Sequence, residues 1–323
     1  MDTVFEPWAL FMKQRLILAG GSGFLGQALA GHFAALGWDV VVLTRKTSAV
    51  NTVARHVVWD GKTQAGWTRE IEGASAVLNL TGRTVDCRYT AANRRLIMDS
   101  RVDSTRVLGE AIARCASKPR VWLNASTATI YLHTLGPAWD ESGEIGSTPE
   151  AQDEFSVEVA KAWEEALFRA SVPGTRTLAL RTTMVLGLGR NSVFPVLCRL
   201  ARFGLGGRMG SGKQFVSWIH LTDFCCAIEF LISRDDLSGV VNLTAPNPVP
   251  NHTMMRMFRE VCGVPFGLPA AEWMLEVGAF FMRTEMELII KSRRVIPGKL
   301  MAAGFKFQFP EMMAALRDLS ARL

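Results

Sequence analysis

The apolar run Leu16-Ile17-Leu18-Ala19 feeds directly into Gly20, Gly23 and Gly26, a G-x-x-G-x-x-G spacing that opens into a helix with apolar residues at Ala28, Leu29, Phe33 and Leu36. A strand, a glycine turn and a helix in immediate succession leave few architectures open. Gly20 permits a tight turn, Gly23 lets backbone N-H groups approach a pyrophosphate, and Gly26 lets the helix pack closely on the sheet. The helix N-terminus adds partial positive charge, so the unit suits a dinucleotide. Ser22, Phe24 and Leu25 complete the turn. Gly37 ends the helix, and Val40-Val41-Val42-Leu43 follows as a continuous apolar strand of the type buried between two helical layers.

At the end of that second strand, such folds place an acid when the adenosine ribose carries free hydroxyls. Here the chain has Thr44-Arg45-Lys46. A hydroxyl and two cations fit a ribose 2'-phosphate, so the expected cofactor is NADP(H).

Further strands read at Ala76–Leu80, Val121–Ala125, Thr177–Arg181 and Val240–Leu243, with helices at 93–115 and 154–170 and a capped helix near His220 and Asp223. An extended piece is expected near Phe305-Lys306-Phe307. Leu80-Thr81-Gly82 leaves the third strand as a small, flexible turn, where open parallel sheets bind ligands. The fold class is therefore α/β, a doubly wound Rossmann-type parallel sheet with a smaller, mainly helical C-terminal substrate region. Residues 13–186 and 219–246 form the cofactor-binding domain in this reading, 187–218 and 247–323 the smaller region, and 1–12 an N-terminal extension.

At 323 residues and 49% hydrophobic content the chain can bury a large core. Its +6 formal charge is scattered, without a finger, basic-zipper or stacked-aromatic pattern, so a nucleic-acid partner is not expected. No apolar run reaches the roughly 20 residues of a membrane span, and the expected location is cytoplasmic. Six cysteines without a C-x-x-C pair read as reduced core residues, and five dispersed histidines offer no metal site.

With these residues in hand, the chain resembles the extended short-chain dehydrogenase/reductase superfamily, and within it the YfcH-like group of NAD-dependent epimerase/dehydratase proteins. The carriers are the Gly20–Gly26 turn, Leu43-Thr44-Arg45, Asn79–Gly82, Ser100-Arg101, Trp163-Glu164, Gly210–Gln214, Trp218-Ile219-His220 with Asp223, Asn242–Val249, and a tail from Glu287-Leu288 through Arg294–Pro297 to Phe305. The resemblance implies a serine facing the nicotinamide at Ser126 and places Met184, within the segment Thr182–Val185, beside the ring. It also implies a homodimer through the helices near 93–115 and 154–170.

Most of that superfamily relies on a Tyr-x-x-x-Lys dyad, in which lysine lowers the tyrosine pKa for proton exchange. This chain departs from the pattern. It has two tyrosines; Asn93 lies four residues beyond Tyr89 and Leu135 four beyond Tyr131. Phe155 and Ser156 stand on the helix that would carry the pair. Ser126 and Tyr131 are the candidate catalytic residues; Lys161 reads as a structural helix lysine with a proton carrier as the alternative, His220 as fixing the strand-helix junction, with Asp223 capping the helix, and a general acid as the alternative, and Arg181 is a partner for an anionic substrate or a buried carboxylate. The pocket is expected from residues 132–151 and 187–210. The leading function is an NADP(H)-dependent oxidoreductase or epimerase-like activity on a small molecule. The alternative is an NADP(H)-binding regulator of the cell-division type with little turnover.

Overall fold

The computed structural model describes residues 13–46, 53–189, 192–271 and 290–323. The expected N-terminal extension, and Glu287-Leu288 of the family-like tail, lie outside them.

Seven strands form one sheet: β1 (Arg15–Ala19), β2 (Asp39–Thr44), β3 (Arg55–Val58), β4 (Ala76–Asn79), β5 (Val121–Thr127), β6 (Arg176–Thr182) and, later in the chain, β10 (Gly239–Leu243). Their spatial order is β3-β2-β1-β4-β5-β6-β10, with every neighbouring pair parallel. The order reverses between β1 and β4, and the crevice at their carboxyl ends is the ligand position of such sheets.

Alternation along each strand splits the core in two. Leu16, Leu18, Val40, Val42 and Leu78 face helices α1 (Phe24–Ala35) and α5 (Leu221–Ser233), meeting Leu29, Phe33, Ile228 and Leu231. Ile17, Val41, Val77 and Trp122 face the other way, against Val107, Leu108 and Ile112 of α2 (Ala91–Arg114) and Leu167 of α3 (Glu154–Phe168). Burial on both faces is why these strands read as unbroken apolar runs.

A third core joins α4 (Val193–Arg202), α6 (Asn251–Val261) and the C-terminal helix α8 (Met312–Ala321) through Phe194, Met255, Phe258 and Leu316. Between these lie two small sheets, β7 (Met184–Leu186) parallel to β9 (Trp218–His220), and β8 (Phe215–Val216) antiparallel to β11 (Val249–Pro250), together with the short helix α7 (Gly298–Ala302). Among the described residues no helix is long and apolar enough to cross a membrane.

Two local expectations change. Arg55–Val58 is a strand that the sequence does not announce, because it sits at the sheet edge with one neighbour and only part of its surface buried. Phe305–Phe307 forms no strand; Phe305 instead packs edge-on against Phe230 and Phe307, with ring centroids 5.4 and 4.8 Å apart.

Candidate functional site

The glycine turn is built by contacts that exclude side chains. Gly20 has φ +72°, and a Cβ there would stand 2.8 Å from Thr81 Cα; at Gly26 it would meet Gly21 Cα at 2.3 Å. Gly20 N-H donates to Leu43 O at 2.9 Å and Leu80 N-H to Ala19 O at 2.8 Å, drawing the ends of β2 and β4 to the turn. Helix α1 starts at Phe24, before the periodic apolar residues that begin at Ala28, with Gly23 as an N-cap whose backbone is extended. No side chain caps that terminus, its first turn holds no acid, and the space a Cβ of Gly23 would fill is open for 4 Å. The first N-H groups of a helix lack partners within it. An oxyanion in that space would receive them, so the residues present fit a dinucleotide phosphate.

A cleft of about 490 Å³ begins here, lined by Gly20, Gly23, Phe24, Leu25, Gly26 and Leu80. Its wall continues through Ser126, Thr127 and Thr129 of the β5 exit and through Thr182 and Thr183 after β6. The lining also includes the aromatic residues Tyr89, Phe155 and Trp163, with the Arg101 guanidinium 5.0 Å from the Trp163 ring centroid. Among the described residues, none of the lining comes from 132–151 or 187–210, the segments expected to build the pocket.

Other predicted residues surround this cleft without lining it. Thr44 is buried at the end of β2, its hydroxyl donating to Lys46 O at 3.2 Å, while Arg45 and Lys46 are exposed beyond it. Ser22 is exposed, its carbonyl accepting from Gln27 Nε2 at 3.1 Å. Thr81 is pressed against Gly20, and its buried hydroxyl has no hydrogen-bond partner among the described residues. Gly82 lies against the Arg101 guanidinium, and Met184 is half-buried in β7.

Behind Ser126 lies a buried polar chain. Its Oγ donates to Glu164 Oε1 at 2.6 Å, and Arg181 donates to both Glu164 oxygens at 2.8 Å. Burial alone would lower the Arg181 pKa, but the hydrogen bonds and charge of Glu164 outweigh it and leave it raised. Arg181 therefore takes the buried-carboxylate option of its two expected partners. With the carboxylate able only to accept, the Ser126 proton points to Glu164 and the oxygen's lone pairs are what it can offer elsewhere.

The tyrosines reverse the expected order. Tyr131 is 1% exposed and does not line the cleft; its hydroxyl donates to Asn242 Oδ1 at 2.8 Å and its ring lies 4.7 Å from the Arg181 guanidinium carbon. Burial raises its pKa. Tyr89 is the tyrosine on the cleft, packed edge-on against Phe155 with centroids 5.0 Å apart. The chain segment between Gly82 and α2 brings it there, and no local pattern announces that placement. Lys161 is exposed on α3, on no part of the cleft lining.

His220 and Asp223 exchange roles. His220 Nδ1 caps α5 by accepting from Thr222 N-H at 3.1 Å, and its Nε2 lies 3.2 Å from Asp318 Oδ2 without hydrogen-bond alignment. Asp223 accepts from Gln308 N-H at 2.7 Å and Phe309 N-H at 2.9 Å, binding the C-terminal segment to α5 instead of capping the helix. Burial raises its pKa.

Comparison with known proteins finds relatives that span nearly the whole chain. Over 313 residues the chain is 29% identical to the epimerase family protein SDR39U1 of Bos taurus, covering 95% of this chain and 100% of that protein. It is 28% identical over the same length to the epimerase family protein YfhF of Bacillus subtilis, covering 95% and 98%. The crystal structure of human SDR39U1 (isoform 2) with NADPH superposes with a TM-score of 0.84 at 27% identity, covering 96% of this chain and all of that one. Residues 270–319 match a domain of unknown function, DUF1731. Residues 16–243, spanning the glycine turn, the serine strand and the last strand of the large sheet, match the NAD dependent epimerase/dehydratase family, and the chain belongs to that family.

Proposed function

We propose that this protein binds NADP(H) and uses it in an oxidoreductase or epimerase-like reaction on a small molecule. One observation carries the reading: the open, uncapped N-terminus of α1 faces the cleft, while the β2 exit beside it presents Arg45 and Lys46 and no acid. The NADPH bound in the human SDR39U1 structure is in keeping with this choice. In this reading residues 13–186 and 219–246 hold the cofactor, with 187–218 and 247–323 as the smaller region.

When bound, the nicotinamide supplies the hydride chemistry. The chain's own residues orient the reactants and supply a proton. The first-turn N-H groups of α1 hold the diphosphate, and Arg45 with Lys46 hold the 2'-phosphate. Ser126, its proton committed to Glu164, accepts a hydrogen bond from a substrate hydroxyl and thereby fixes its direction. Tyr89 replaces the missing dyad as the proton carrier, being the one residue with a phenol on the cleft lining.

Isothermal titration with NADPH and NADH tests the cofactor assignment, and a clear preference for NADPH is expected. Equal affinity for the two, or no binding of either, would sink it. Oxidation of bound NADPH across a panel of carbonyl compounds then separates an enzyme from a protein that only holds the cofactor.

A further inference from the structure

Arg101 lines the cleft beside Trp163, and among the described residues no carboxylate pairs with its charge. Its Nη1 donates to Arg83 O at 3.1 Å and to Ile97 O at 3.0 Å, both neutral carbonyls. Its Nε and Nη2 make no hydrogen bond among the described residues, and no carboxylate there pairs with it. Arg181, by contrast, is neutralised by Glu164 at two oxygens.

The guanidinium is also held in place. Its carbon lies 5.0 Å from the Trp163 ring centroid on one side, and a Cβ at Gly82 would stand 3.2 Å from it on another. The two carbonyl hydrogen bonds fix its remaining edge. Burial lowers its pKa to about 10, still well above neutrality, so the group stays cationic in the cleft. A half-buried, immobilised cation with unused donors is an arrangement that gains from an oxyanion, because guanidinium and carboxylate or phosphate match in a bidentate fork.

We propose that Arg101 is the anion receptor of this cleft, and that the substrate is a small molecule with a carboxylate or phosphate on an apolar body; this rests on the cofactor-binding reading above. Tyr89, Phe155 and Trp163 supply apolar walls for that body, and Ile97 and Val159 extend them. Two ligands bring an oxyanion to the cleft, the substrate and the cofactor's own diphosphate. Arg101 belongs to the substrate because it stands among the aromatic walls, whereas the diphosphate already has the N-terminus of α1.

Benzoate and benzamide are suitable probes, being alike in shape and different in charge. Their binding is measured by calorimetry or ligand-observed NMR to the full chain, with and without saturating NADPH. Benzoate is expected to bind about tenfold tighter than benzamide, with the preference lost in Arg101→Gln and partly kept in Arg101→Lys. NADPH affinity is expected to change by less than about threefold in both variants, since Arg101 is not assigned to the cofactor. Equal binding of the two probes, no binding of benzoate, or an undiminished preference in Arg101→Gln would overturn the proposal. A tenfold weakening of NADPH in Arg101→Gln, on the order of a lost charge-assisted contact, would assign the guanidinium to the cofactor's phosphates and overturn it as well. Failure of the wild type to bind NADPH would count against the cofactor reading alone, since the probe pair without cofactor still decides the role of Arg101.

Discussion

Ser126 Oγ and Glu164 Oε1 lie 2.6 Å apart, and the same carboxylate receives two donors from Arg181. The serine at the cleft wall is thus fixed by an ion pair whose side chains are 10% and 6% exposed. Removing one charge from such a pair leaves the other uncompensated in a poorly solvated site. Glu164→Gln is expected to destabilise the fold by about 3–5 kcal/mol, read from the midpoint and slope of urea unfolding. A loss below about 1 kcal/mol would mean the pair is solvated as surface bridges are.

Two glycines of the turn separate folding from binding. Gly26→Ala drives a Cβ to 2.3 Å from Gly21 Cα. It is expected to cost about 1–3 kcal/mol of stability as an overpacking change. Gly23→Ala meets nothing within 4 Å in the protein, at φ −83°. That variant should keep its stability to within about 1 kcal/mol. Its methyl group, however, intrudes on the space assigned to the phosphate, so NADPH affinity should fall by about tenfold or more. Unaltered NADPH binding by Gly23→Ala would place the diphosphate elsewhere.

Arg45→Glu tests the 2'-phosphate assignment by reversing charge on an exposed residue beyond the end of β2. NADPH affinity should weaken by about tenfold or more, and NADH affinity by less than about threefold. Parallel losses for the two cofactors would point to a general effect on the turn.

The tyrosines give opposite expectations. Once a turned-over carbonyl compound is in hand, Tyr89→Phe should lower the rate by about 10²-fold, the lower end for loss of a general acid. Tyr131→Phe removes the hydrogen bond to Asn242 in a buried site and should cost about 1 kcal/mol of stability, with the rate changed by less than about threefold. The reverse pattern would restore Tyr131 to the catalytic role its sequence position suggests.

Stability should also depend on pH through His220. Burial lowers its pKa below the ordinary 6.5, with Asp318 and Asp223 opposing that shift and Arg322 reinforcing it. A histidine with a depressed folded pKa gains its proton first in the unfolded chain. Its contribution is therefore intact above pH 6.5 and is lost as pH falls toward the folded value, with a slope of up to about 1.4 kcal/mol per pH unit. His220→Asn keeps a side chain suited to the N-cap and should flatten the stability curve in the range just below pH 6.5. An unchanged curve in the variant would assign the acid sensitivity to other groups.

The sheet was readable because its information is local. Val40–Leu43 and Ala76–Leu78 are apolar where both faces are buried, and the glycines stand where a turn and two close approaches need them. Each of these constraints acts through chain neighbours. Arg55–Val58 escaped because an edge strand need not be apolar, and Phe305–Phe307 misled because aromatic residues fill a packing site as readily as a strand.

By itself, then, the sequence determined a parallel α/β sheet, a glycine turn shaped for a dinucleotide, cations in place of the usual acid, and the absence of a Tyr-x-x-x-Lys dyad. Tertiary structure decided which tyrosine reaches the cleft, that Arg181 is spent on Glu164 while Arg101 is not, and that His220 caps α5 while Asp223 holds the C-terminal segment. The reason is distance along the chain: these pairings join residues that periodicity cannot relate, and they are fixed only when packing brings separate elements together and burial forces each polar group to find a partner.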